Sequence, residues 1–120
     1  MTVEGKRGNA ARGRFYEEEA CRFLEAQGLR ILCRNYRFHR QEIDIVARDG
    51  DWFCFVEVKA RSADRYGYGF QAVDRRKQEN IRRVAEAYLL ERGLSVYSTP
   101  CRFDVVSFDG GRIRYFRNAF

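Results

Sequence analysis

Glu42-Ile-Asp-Ile-Val-Ala-Arg48 and Trp52-Phe-Cys-Phe-Val-Glu-Val-Lys-Ala60 flank the dipeptide Asp49-Gly50. Both segments are rich in β-branched and aromatic residues, and Asp-Gly between such runs favours a tight type I′ turn, so the pair reads as an antiparallel hairpin. With Asp49-Gly50 as the turn, Arg48 pairs with Asp51, Ile45 with Cys54, Asp44 with Phe55 and Glu42 with Glu57. Side chains alternate along a strand, so Glu42, Asp44, Phe55, Glu57 and Lys59 share one face. Asp44 and Glu57 are then diagonal neighbours, roughly 7–8 Å apart at Cα. A four-residue turn would set them directly opposite and keep the face, whereas an unbulged three-residue turn would separate them.

The rest of the chain arranges itself around this hairpin. Upstream, Tyr16, Ala20, Phe23, Leu24 and Gln27 recur at helical spacing, predicting a helix over Arg14–Gln27 that Gly28 terminates. Leu29, Ile31 and Cys33 then alternate with period two, and a first strand continues through Asn35-Tyr36-Arg37-Phe38. Downstream, 61–71 has glycines, aromatics and charges without a period and reads as an exposed loop. A second helix carries the stripe Ile81, Val84, Ala85, Tyr88 and Leu89, with Asp74 placed to cap its start and Gly93 its end. Arg102–Phe108 and Arg112–Phe116, joined through Asp109-Gly110-Gly111, form a second hairpin. The order αβββαββ implies an α/β protein with a mixed sheet and helices packed on it. Residues 1–12, Gly-rich and basic, read as a flexible arm before a single domain over 13–120.

Composition narrows the functional classes. The chain has 120 residues, 45% hydrophobic and 33% charged, which suits one globular core. It holds 23 Lys and Arg against 17 Asp and Glu, a formal charge of +6, and a basic surface favours phosphate-rich partners or serves solubility alone. No apolar run is long enough for a membrane span and no signal peptide precedes the first helix, so a cytoplasmic location is expected. Cys21, Cys33, Cys54 and Cys101 lack C-x-x-C spacing and, with the lone His39, read as buried thiols rather than a zinc site or a disulfide framework.

Chemistry concentrates on the hairpin. Exposed strands often alternate acids and lysines, but Phe53, Phe55 and Val56 mark this strand as largely buried, where unpaired charges are costly. Two carboxylates on such a face need a proton or a cation between them. Hard oxygen ligands suit Mg²⁺ or Mn²⁺, which polarise a phosphoryl oxygen and generate hydroxide. Lys59 would position the attacking water or stabilise charge on phosphate. Glu17 lies on the flank of the first helix's apolar stripe; it either joins this site or, with Glu18 and Glu19, favours the helix start through the macrodipole. Arg61, Arg65, Tyr66, Tyr68 and Phe70 combine cations and aromatics suited to phosphate contact and base stacking, or form a plain connection folded on the core. Lys77, with Arg75, Arg76, Arg82 and Arg83, adds positive charge to the second helix.

The series Glu17-x-x-Ala20, Arg34-Asn35-Tyr36-Arg37, Glu42-Ile43-Asp44, Phe55-Val56-Glu57-Val58-Lys59-x-Arg61, Lys77 and Arg102-Phe103-Asp104-Val105-Val106 resembles the bacterial YraN-like family. That family is similar to the archaeal Holliday junction resolvases and to the restriction-endonuclease-like PD-(D/E)xK fold. The resemblance implies a metal site from Asp44, Glu57 and the Val58 carbonyl, Lys59 as catalytic lysine, Glu17 helping to hold the metal or its water, and Lys77 as a phosphate contact. Tyr16 and Gln41 stand where the family usually has glycine; neither is a ligand. The function expected is a Mg²⁺- or Mn²⁺-dependent endonuclease on DNA, including branched or single-stranded repair and recombination intermediates. Junction cleavage would require a homodimer. The alternative is a non-catalytic nucleic-acid-binding module serving a larger DNA-processing assembly, and RNA is a substrate the same chemistry would accept.

Overall fold

In the computed structural model the described residues are 2–61 and 73–120, with side chains described for 13–60 and 73–120. The chain runs α1 (Thr2–Ala26), β1 (Arg30–Phe38), β2 (Gln41–Asp49), β3 (Trp52–Arg61), α2 (Arg75–Glu91), β4 (Cys101–Asp109) and β5 (Arg112–Phe116). This is the anticipated αβββαββ order. The side chains anticipated as a basic arm, 1–12, and nearly all of the anticipated loop lie outside the described residues.

Both helices end as their glycines require. Gly28 adopts a φ of 97° and Gly93 a φ of 72°. In each case the next residue's N–H reaches back to an earlier carbonyl, Leu29 to Leu24 at 3.0 Å and Leu94 to Leu89 at 2.9 Å. These are Schellman closures, in which a left-handed residue lets the last turn satisfy its own carbonyls. At the other end of α2, Asp74 is the N-cap and accepts from the Lys77 N–H at 2.8 Å.

The five strands form one sheet in the order β1-β2-β3-β4-β5. All neighbours are antiparallel except β3 and β4, which are parallel and bracket α2 in the chain. Odd residues of β3, Phe53 and Phe55, meet Ile81, Val84, Ala85, Tyr88 and Leu89 of α2. Even residues, Cys54 and Val56, meet Ala20, Cys21 and Leu24 of α1. The sheet is thus covered on both faces, which explains the unbroken burial from Phe53 to Glu57.

The central hairpin departs from its anticipated register. Asp49 pairs with Trp52 and Ile45 with Val56, so the two-residue loop is Gly50-Asp51. Positive φ is confined to Gly50, at 60°, the pattern of a II′ turn rather than I′. The physical reason lies in the partners. The observed register sets Val46 against Phe55 and Ala47 against Cys54, whereas the anticipated one would have opposed Glu42 to Glu57 and Asp44 to Phe55. Moving the turn by one residue moves each partner by two, so every side chain keeps its anticipated face.

Of the four free cysteines, Cys21 and Cys54 are buried and Cys33 and Cys101 partly so; burial raises the pKa of each thiol. No helix among the described residues is long and apolar enough to cross a membrane.

Candidate functional site

The sheet divides at one point. Paired residues of β2 and β3 run from Asp49 and Trp52 to Ile45 and Val56. Beyond that pair β2 remains with β1 through Tyr36–Ile43, Arg37–Glu42 and Phe38–Gln41, while β3 remains with β4 through Glu57–Val105 and Lys59–Ser107. The two strands therefore part just where Asp44 and Glu57 follow. A backbone N–H at such a fork loses its strand partner and needs another. Asp44 supplies it: the Val58 N–H donates to Asp44 Oδ2 at 2.8 Å.

Glu57 stands beside Asp44 with only 3% of its surface exposed. Burial first, then the hydrogen bond and charge of Glu57, raise the Asp44 pKa from its ordinary 3.8 to about 9, against the lowering effect of the Val58 N–H. Asp44 accordingly holds a proton at neutral pH. A buried and a partly buried acid in contact tolerate one proton or one cation between them.

The Lys77 ammonium reaches Glu57 from the first turns of α2, with Nζ 3.0 Å from Oε2. Burial is the largest single influence and pulls its pKa down, but the charge and hydrogen bonding of Glu57, the charge of Asp44 and a hydrogen bond with Lys59 together outweigh it, and the net shift is upward. The contact lies at hydrogen-bond distance without good alignment, and Glu57 Oε2 has no aligned hydrogen-bond partner. Lys77, anticipated as a phosphate contact, thus faces the acid pair directly. Lys59 is half-buried two residues beyond Glu57 on the same face of β3.

Glu17 approaches from α1. Asn35 Nδ2 donates to both of its carboxylate oxygens at 3.2 Å, and Arg34 Nη2 lies 3.7 Å from Oε1. Asn35 occupies the β1 position between the Arg34–Ile45 and Tyr36–Ile43 pairs, level with Asp44, with a φ of 54°. A short polar side chain tolerates that left-handed backbone, and the bend brings its amide to α1. Glu17 is close enough for its charge to raise the Asp44 pKa further. Among the described residues, no three acids, histidines or cysteines converge as a metal-ligand group. The structure brings together Asp44, Glu57, Val58 and Lys77, with Glu17 held at the margin by Asn35.

Other anticipated residues fall elsewhere. Glu42, two residues before Asp44 on β2, sits 3.7 Å from Arg37 in a partly exposed ion pair. The side chain of Arg61, and Arg65, Tyr66, Tyr68 and Phe70 entirely, lie outside the described residues.

The sequence reading missed a second buried charge cluster. Asp104 is fully buried and accepts from Arg102 Nε at 3.1 Å, from the Tyr115 hydroxyl at 2.6 Å and from the Asn118 N–H at 2.8 Å. Arg102 also donates to Asp49 at 2.9 Å. This network runs from Asp49 at the turn end of β2 to Asp104, which pairs with Val56 just before the fork but lies on the α1 face of the sheet, and it ties the hairpin, β4 and β5 together; its carboxylate is fully committed. The only signal in the sequence was Arg102-x-Asp104 on an otherwise apolar strand.

The model of the uncharacterised protein family UPF0102 matches residues 16–108. Among similar curated proteins, a UPF0102 protein of Chlorobaculum parvum is 48% identical over 97 residues, covering 81% of this chain and 74% of that one. One of Symbiobacterium thermophilum is 45% identical, covering 87% of this chain and 91% of its own. A more divergent relative from Colwellia psychrerythraea is 37% identical, with 91% and 88% covered.

Proposed function

The chain belongs to the uncharacterised protein family UPF0102, and since that description assigns no activity, we propose from the site itself a metal-dependent endonuclease that hydrolyses DNA phosphodiester bonds. The observation that carries this reading is the largely buried pair of Asp44 and Glu57 at the fork between β2 and β3, flanked by Lys59 and Lys77. An αβββαββ chain with a parallel β3–β4 pair spanned by α2 supports assigning it to the restriction-endonuclease-like fold.

The donor set suits a hard cation. Asp44 and Glu57 offer carboxylate oxygens and the Val58 carbonyl a third oxygen, and a metal ion there would take the place of the Lys77 ammonium beside Glu57 Oε2. Mg²⁺ or Mn²⁺ held there would supply Lewis acidity toward a phosphoryl oxygen and lower the pKa of its water. The protein's own groups do the rest. Lys59 projects from the same face as Glu57 to orient the attacking water and offset charge on the phosphate. The Lys77 ammonium, released from Glu57, contacts a phosphate oxygen. Glu17, fixed by Asn35, accepts a hydrogen bond from water at the margin of the site.

One observation favours a second reading. The Lys77–Glu57 ion pair already offsets the charge of Glu57 without any metal ion, as a non-catalytic nucleic-acid-binding module of a larger assembly would require. Cleavage of labelled duplex, single-stranded, flap and four-way-junction DNA, with Mg²⁺, Mn²⁺ or EDTA, separates the two. The nuclease reading expects metal-dependent cutting that Lys59→Ala abolishes. Salt-sensitive binding without cutting under any metal would establish the binding module instead.

A further inference from the structure

At the far end of β3 from the fork, α2 and the sheet enclose a cleft of about 340 Å³ lined by Leu32, Arg48, Phe53, Tyr88 and Arg92. Its floor is aromatic and its walls are cationic. The Arg48 guanidinium lies 4.6 Å from the Phe53 ring centre and the Arg92 guanidinium 4.2 Å from that of Tyr88. Stacking of this kind orients a guanidinium while leaving N–H groups at its edge. Arg48 is held further by its Nε donating to the Gly50 carbonyl at 3.2 Å. Neither guanidinium is ion-paired with a carboxylate among the described residues, in contrast to Arg22, Arg34, Arg37 and Arg102.

Two oriented guanidiniums facing one cleft, without acids to neutralise them, form an incomplete charge arrangement. A tetrahedral oxyanion with several acceptor oxygens completes it, because planar guanidinium donors match phosphate geometry. The rings beneath form an apolar floor against which the remainder of a ligand can rest. We propose that Arg48 and Arg92 form a phosphate-binding clamp over Phe53 and Tyr88, distinct from the acid pair and taking a phosphate ester of a nucleotide or of a nucleic-acid strand. The clamp needs no divalent cation and does not rest on the nuclease reading.

The test uses the full chain in EDTA, following the Arg Nε–Hε signals by NMR. The probes are inorganic phosphate, a nucleoside 5′-monophosphate, and one short single-stranded oligonucleotide with and without a 5′-phosphate. Saturable shifts of Arg48 and Arg92 are expected, absent with sodium chloride at equal ionic strength. Arg48→Gln and Arg92→Gln should each weaken the apparent affinity about tenfold. Arg112→Gln, which removes one exposed charge at the β4–β5 turn, should leave it within about twofold. Binding that requires the terminal phosphate identifies a nucleotide or strand end; equal binding of both oligonucleotides identifies the strand backbone. Shifts that merely follow ionic strength, or affinities equal in all three variants, would overturn the clamp.

Discussion

The Val58 N–H donates to Asp44 Oδ2 at 2.8 Å across the gap where β2 and β3 separate. One carboxyl thereby closes the backbone accounting of the fork and forms half of the acid pair. Structure and chemistry are joined in Asp44, so changes there should affect both, and in opposite directions.

Asp44→Asn should stabilise the metal-free protein. The Asn side-chain oxygen can still accept from Val58, and its amide is neutral without the proton that Asp44 must take up from solution to sit beside Glu57. A gain on the order of 1 kcal/mol, several degrees in Tm, is expected by calorimetry in EDTA. The same variant should lose any stabilisation by Mn²⁺. A lower Tm in EDTA would show that Asp44 is not strained by its neighbour.

Stability of the metal-free protein should fall as pH rises. The Asp44 pKa is raised from 3.8 to about 9, so the folded state keeps a proton that the unfolded state releases. Its contribution is full below about pH 4 and declines through the interval up to about 9. Urea denaturation across that range should show the decline in wild type and a flatter profile in Asp44→Asn. Identical profiles would contradict the shift.

Lys77→Met should destabilise the metal-free fold by about 1–3 kcal/mol, because Glu57 is left buried beside Asp44 without its cation. The double variant Lys77→Met with Glu57→Gln should recover most of that loss. Failure to recover would mean that Lys77 acts through something other than the ion pair.

Asp104→Asn should cost about 3–5 kcal/mol, since Arg102 loses a buried counter-charge. Tyr115→Phe should cost less, about 1.5–3 kcal/mol, for the hydroxyl's short hydrogen bond to Asp104 and the longer one it accepts from Arg102. Neither should alter divalent-cation affinity, because the network lies on the α1 face of the sheet whereas Glu57 meets Lys77 on the α2 face. A matching loss of cation affinity in either variant, measured well below its Tm, would join the two clusters into one unit.

Much of this architecture was legible because it is written locally. The α2 stripe of Ile81, Val84, Ala85, Tyr88 and Leu89 is buried as its period demanded, and Asp74, Gly28 and Gly93 cap where their backbone chemistry places them. The shared face of Asp44 and Glu57 survived an error in turn position because alternation is unchanged by a shift of two. What resisted reading is non-local. The fork exists because β2 follows β1 and β3 follows β4, a competition between strand pairs that no single segment encodes. Asn35 becomes a tether for Glu17 only through a left-handed backbone inside a strand. Asp104 gathers partners from Arg102, Tyr115 and Asn118, and its burial depends on all of them.

The acid pair as a divalent-cation site is the claim on which the functional reading turns, and Mn²⁺ relaxation of assigned amide signals tests it most directly. At neutral pH one Mn²⁺ per chain should bind with release of the Asp44 proton and broaden the amides of Asp44, Glu57 and Val58 first, and both effects should vanish in Glu57→Gln. Broadening centred on any other part of the chain, or none at millimolar Mn²⁺, would contradict it.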